Sequence, residues 1–172
     1  MSIFRFISSL WSSKEPITFL SFRIKAPIFV ARQLVKHQVG LSWNEVSRRY
    51  VDDQPECYIP MMWRKIPDKS IKQGSSKEEV PYDITHMLNV AETTYKDMLE
   101  EDIAPEMARM VLPQNMMTEW YWSGTLYAFA RVCNLRNKDD TQEETRMITG
   151  QMAKHMKDHF PICTRHLLDE EV

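Results

Sequence analysis

The stretch ITFLSFRIK (residues 17–25) sets Leu20, Phe22 and Ile24 against Ser21, Arg23 and Lys25 in strict alternation. A period of two predicts a half-buried β-strand. Pro27 follows at once, and its fixed φ and missing N–H suit the first turn of a helix. In PIFVARQLVKHQ the period becomes helical through Phe29, Val30, Leu34 and His37, with Gly40 as a plausible end. A strand with one apolar face needs sheet partners and a layer to cover it. The chain is therefore committed to a sheet early on.

The rest supplies the cover. From Ser42 to Trp63 the pieces SRRYV, DDQPE and CYIPMMW read as strand, turn, strand. DKSIKQGSSKEEV reads as a surface loop. Beyond Tyr82, Ile84, Met87, Leu88, Ala91, Tyr95, Met98 and Leu99 form one helical face. A short helix is expected from Ala104-Pro105 to near Pro113, and Thr118 is placed to cap a helix running to Asn134. Thr141 and Glu144 match a capping box for a last helix lined by Met147, Ile148, Met152, Met156 and Phe160. MSIFRFISSLWSS is too short to span a membrane and predicts a helix or strand packed on the body. The fold class is α+β, with a small antiparallel or mixed sheet and a helical C-terminal half in one domain over residues 1–172.

A net charge of −2 gives no general attraction to nucleic acid or to a membrane, so any phosphate must meet a local cluster of cations. Four glycines against twelve methionines argue against a glycine-rich phosphate loop, and no GxSxG, Walker or GxGxxG pattern occurs. Cys57, Cys133 and Cys163 give neither a disulfide framework nor a CxxC metal site, which favours a reducing, cytosolic setting. His155 and His159 are four apart, but no third ligand has suitable spacing, so no metal is expected.

The notable chemistry is basic. Lys36, Arg48 and Arg49 flank KHQVGLSWNEVSRRY (36–50), Arg109 lies in MARMVLP, and Arg131 and Arg136 lie in FARVCNLR. Any one of these can snorkel to water. Together, beside aromatic surface, they suit a flat phosphorylated heterocycle, because a guanidinium can fork onto phosphate or face a ring carbonyl. Ser42-Trp43-Asn44-Glu45 in the same stretch also has the form of a capping box.

The stretch resembles the signature of the flavin-dependent thymidylate synthases, Arg-His-Arg, seven residues and Ser, with an internal Asn-Glu and a following Arg-Tyr. Here Lys36-His37-Gln38 stands for the first element, and Asn44-Glu45, Ser47 and Arg49-Tyr50 match the rest, with eight residues between Gln38 and Ser47. KAPIFVARQ (25–33), KQGS (72–75), ARMVLPQN (108–115), TEWYW (118–122), NLR (134–136) and the Gln142/Glu144 helix follow in family order. The likeness runs over residues 17–165.

The resemblance implies a homotetramer that methylates dUMP with FAD, methylenetetrahydrofolate and NADPH, each site being built from several subunits. Gln33, Glu45, Ser47, Arg48, Arg49, Arg109 and Arg136 fall on or beside dUMP-binding positions. Arg109 would come from a neighbouring subunit, and Arg136 would favour the ionised uracil as the catalytic residue. Lys36, His37, Gln38, Glu45, Thr125 and Arg131 fall on flavin positions; Thr125 and Arg131 replace asparagines, and Arg131 is placed to restore the charge lost at Gln38. Ser13 falls near a flavin-binding threonine. The resemblance also implies a start about fifty residues into the family's usual length. Because the flavin carries the hydride and the one-carbon unit, no protein nucleophile is needed. Three alternatives stand beside this reading: a non-catalytic nucleotide- or flavin-binding subunit needing a partner chain, a related pyrimidine-nucleotide one-carbon transferase, and a helical interaction protein.

Overall fold

The computed structural model describes residues 18–47, 54–68 and 74–172, and the backbone alone of 6–11. Strand β1 (Phe6–Trp11) pairs antiparallel with β2 (Phe19–Pro27). The expected alternation in β2 is present: Leu20, Phe22 and Ile24 are buried, with partly exposed residues between them. Its other neighbour is β6 (Met117–Thr125), which pairs in turn with β3 (Leu41–Glu45), so the sheet order is β1-β2-β6-β3 and every pair is antiparallel.

Two expectations fail at β6 and β3. Thr118 begins no helix; it lies in a central strand whose Trp120 and Trp122 are wholly buried opposite Ile24 and Phe22 of β2. The run Trp-Tyr-Trp is apolar at every position, so no period shows in the sequence, and only the paired strands decide it. Ser42 to Glu45 forms no capping box, because those residues pair with Tyr121 to Ser123 and Trp120 in β3. Thr125 is the helix cap instead: its Oγ1 accepts the Ala128 N–H at 3.1 Å and starts α4 (Leu126–Arg136).

One face of the sheet carries the core. Helix α1 (Ile28–Leu34) contributes Val30 and Leu34, α4 contributes Phe129 and Val132, and α5 (Glu143–His159) contributes Ile148, Met152 and Met156. Phe22 meets Phe129 edge to face at 4.8 Å, and Trp43 of β3 stacks on Trp120 at 4.4 Å. The opposite face is polar, with Ser21 and Ser123 hydroxyls 2.8 Å apart and Arg23 beside Glu119. Helix α1 stops at Leu34, six residues before the expected end. Gly40 instead serves a turn, with φ +75° and the Leu41 N–H donating to Gln38 O at 3.1 Å.

CYIPMMW is not a continuous strand. Cys57 makes a single bridge to Met116, and Trp63 with Arg64 forms β4, which pairs with β5 (Glu79–Val80). Pro60 lacks the N–H a strand here would donate. The helix expected after Tyr82 is α2 (Thr85–Glu100); its apolar face is as read, but only Tyr95 is fully buried. The short helix after Ala104 is α3 (Pro105–Ala108), continued by a 3₁₀ turn at Arg109–Val111. The Thr141/Glu144 capping box is not made: α5 has no side-chain cap, and Glu144 is turned to Arg64. Met147 lies off the core face at 44% exposure, and α6 (Pro161–Leu167) follows α5, which is therefore not the last helix. Among the described residues no helix is long and apolar enough to cross a membrane. The expected strand SRRYV is largely outside the described residues.

Candidate functional site

The turn from α1 into β3 brings Lys36, His37 and Gln38 against the outer side of α4. Lys36, His37, Gln38 and Arg131 line one small cleft of about 160 Å³ with Leu135. Gln33 and Lys36 line a second, of about 380 Å³, with Arg136, Gln142, Arg64 and Ser75. Lys36 borders both, and so joins the expected flavin set to the Gln33–Arg136 part of the expected nucleotide set.

His37 and Arg136 are coupled directly. The Arg136 Nε–H donates to His37 Nε2 at 3.0 Å. Burial, and then the charges of Arg136 and Arg131, hold the His37 pKa below the ordinary imidazole value. The ring is neutral, with Nε2 as acceptor and the proton on Nδ1. The two Nη groups of Arg136 have no protein partner among the described residues. Nor are Lys36, Arg109, Arg131 and Arg136 ion-paired among those residues.

Glu45, Ser47 and Arg109 meet in a third cleft, of about 540 Å³, between the end of β3 and the 3₁₀ turn. It shares no lining residue with the other two. Glu45 accepts from Thr118 Oγ1 at 2.6 Å, and Arg109 Nε donates to Glu106 O at 3.3 Å. A single chain thus divides the expected nucleotide set between two places. Thr125 lines none of the three clefts and spends its hydroxyl on the helix cap. Arg48, Arg49 and Ser13 lie outside the described residues.

Sequence reading overlooked Arg64. Its Nη2 donates to both Glu144 oxygens at 2.6 and 2.7 Å, its Nη1 to Glu143 at 3.0 Å and its Nε to Ser75 Oγ at 2.7 Å. It thereby ties β4 and the 74–76 segment to the start of α5. Tyr58 donates to the same Glu144 at 3.4 Å, and burial, followed by the Glu144 charge, pushes the Tyr58 pKa up to about 12. An apolar cleft of about 490 Å³ lined by Phe29, Tyr58, Trp63 and Met87 opens above this pair. No spacing signals Arg64, because its acidic partners lie about eighty residues away.

The cysteines do not form a nucleophilic site. Cys133 is buried, donates to Thr149 O at 3.6 Å, and has its pKa pushed by burial up to about 12. Cys57 is partly buried and Cys163 is exposed. The His155 and His159 rings lie 4.0 Å apart, and no cluster of three metal-ligating side chains occurs among the described residues.

Residues 9–162 match the profile of the family described as thymidylate synthase complementing protein. Proteins named flavin-dependent thymidylate synthase are 36% identical over 156 residues in Thermus thermophilus and 38% identical over 156 residues in Kosmotoga olearia, with 86% of this chain covered in each case. The chain spans only 57% and 66% of the length of those two relatives. The crystal structure of a UMP/dUMP methylase, PolB from Streptomyces cacaoi bound with 5-Br dUMP, superposes with a TM-score of 0.74 at 25% identity, covering 86% of this chain and 69% of that one.

Proposed function

Because this chain belongs to the family of thymidylate synthase complementing proteins, we propose that it is a flavin-dependent thymidylate synthase subunit converting dUMP to dTMP, with FAD as cofactor and methylenetetrahydrofolate and NADPH as co-substrates. The observation that carries this reading is the group of cations without counter-charges around the α1–β3 turn, with Arg136 half-buried among them. A cation left unpaired inside a cleft is suited to an anionic ligand.

The residues present fit both ligands in chemistry. Lys36 and Arg131 would hold a diphosphate, while the neutral His37 ring and the Gln38 carboxamide offer donors and acceptors to a ring system. The 160 Å³ cleft is a contact patch for a flavin dinucleotide, not an enclosure. When bound, the flavin supplies the hydride and relays the one-carbon unit. Gln33 and Arg136 would bind and orient the nucleotide. Arg136, steadied at Nε by His37, keeps both Nη groups for the uracil, where it stabilises negative charge as it develops. Glu45, Ser47 and Arg109 would complete the nucleotide site from another subunit of a tetramer, which the separation of the two clefts supports. The small number of cysteines and their lack of a framework spacing support a reducing, cytosolic setting.

The test is tritium release from C5-labelled dUMP by the protein with FAD, NADPH and methylenetetrahydrofolate. Arg136→Ala should lower kcat by about 10²–10³, the scale of one lost electrostatic stabiliser. Arg109→Ala should mainly raise the dUMP KM, because its contact is made equally in the ground and transition states. Arg136→Ala turning over like wild type at saturating dUMP would remove the catalytic assignment. The PolB methylase acts on UMP as well as dUMP by its description, so UMP is the second substrate to assay.

A further inference from the structure

The first turn of α5 departs from the usual fate of a helix N-terminus. Its free N–H groups are normally taken by side chains of the kinds present here. No side chain caps it. Glu144 is spent on Arg64, and two other polar side chains of the turn reach across to α1. Thr145 Oγ1 donates to Gln33 Oε1 at 3.1 Å, and Gln33 Nε2 donates to Gln142 Oε1. Local capping given up for contacts 109 and 112 residues away in sequence marks a position where another demand prevails.

We propose that Thr145 is a positioning residue for the nucleotide, fixing the carboxamide of Gln33 at the wall of the cleft it shares with Lys36 and Arg136. This rests on the reading of Gln33 as a nucleotide ligand. A carboxamide has two N–H donors and two acceptor lone pairs. Thr145 and Gln142 take one of each, which leaves one donor on nitrogen and one acceptor on oxygen for a ligand. Thr145 is 0% exposed, so its hydroxyl has no water as an alternative partner, and Gln33 is its bond across the helices. The two bonds together hold the plane of the carboxamide between α1 and the start of α5. The threonine sits behind Gln33 in the buried interface of α1 and α5 and does not line the cleft.

The experiment is a double-mutant cycle on the full chain, read as dUMP affinity by calorimetry so that it does not depend on turnover. The variants are Thr145→Val, Thr145→Ser, Gln33→Ala and the pair Gln33→Ala/Thr145→Val, with Thr145→Ala as a second deletion should valine disturb packing. Thr145→Val should weaken dUMP roughly three- to tenfold, the scale of one neutral hydrogen bond, and Thr145→Ser should recover wild-type affinity. In the Gln33→Ala background Thr145→Val should have no further effect, since its path to the ligand is gone. Wild-type affinity in both deletions would overturn the proposal, and so would a Thr145 effect that persists undiminished without Gln33. If Gln33→Ala itself binds dUMP like wild type, the assignment of Gln33 fails and Thr145 falls with it; a failure at Thr145 alone leaves Gln33 in place.

Discussion

A guanidinium that donates to an imidazole nitrogen at 3.0 Å, as Arg136 does to His37, does so only while that nitrogen is unprotonated. Burial and two neighbouring cations keep the folded His37 pKa below its unfolded value. Below an ordinary imidazole value of 6.5 the unfolded chain then binds more protons than the folded one, so stability falls as pH drops through that window. His155, whose pKa is also lowered by burial and by His159, acts in the same direction. Urea midpoints of wild type and His37→Gln between about pH 8 and pH 5 separate the two contributions. The variant should show a shallower decline, retaining only the part due to His155, and superimposable curves would remove His37 as the titrating group. The sequence placed both His37 and Arg136 in the site through resemblance, but not their bond. They are 99 residues apart, and no local period reports a contact of that length.

The elements that were legible in the sequence are those whose partners leave a one-sided pattern. β2 alternates because one face is core and the other polar, and α5 shows a helical stripe because it lies on the sheet. β6 was not legible because it is apolar along the Trp-Tyr-Trp run, and the two capping boxes failed because strand pairing took the backbone of Ser42 to Glu45 and Arg64 took the Glu144 side chain. Element geometry also sets a demand at Gly124. A Cβ there would lie 2.4 Å from Gly40 O and 2.6 Å from Leu41 Cδ2, the residues that bring the chain into β3. Gly124→Ala should cost about 1–3 kcal/mol through overpacking against backbone and loosen β3, which carries Glu45. Gly150 faces open space on α5, and Gly150→Ala should stabilise by about 0.5–1 kcal/mol through helix propensity. Thermal melts of the two variants should move in opposite directions; a Gly124→Ala melt at or above wild type would refute the close-approach argument.

At the scale of the molecule, the residues read as one nucleotide site occupy two clefts with no shared lining. If a second copy joins them, Arg109→Ala and Arg136→Ala chains, assayed at a dUMP concentration far below the raised KM of Arg109→Ala, should complement one another. Dissociated and reassembled as an equal mixture, they should recover activity in about a quarter of the sites, since each site draws one residue from each of two subunits. Recovery no greater than the sum of the two variants alone would place both arginines in one subunit's site. The order of the sheet has a further consequence, in time rather than in space. β2 is joined to β6 across about a hundred residues, with Ser21 and Ser123 separated by 102. A ribosome adding roughly 5–20 residues per second needs on the order of 5–20 s to supply the missing strand. For that interval Leu20, Phe22 and Ile24 are made but have neither the tryptophans of β6 beside them nor α4 and α5 above them. The hundred residues that separate the two central strands therefore act as a clock on synthesis: until they are made, the apolar face of β2 has only β1 and α1 against it and waits for the greater part of its cover.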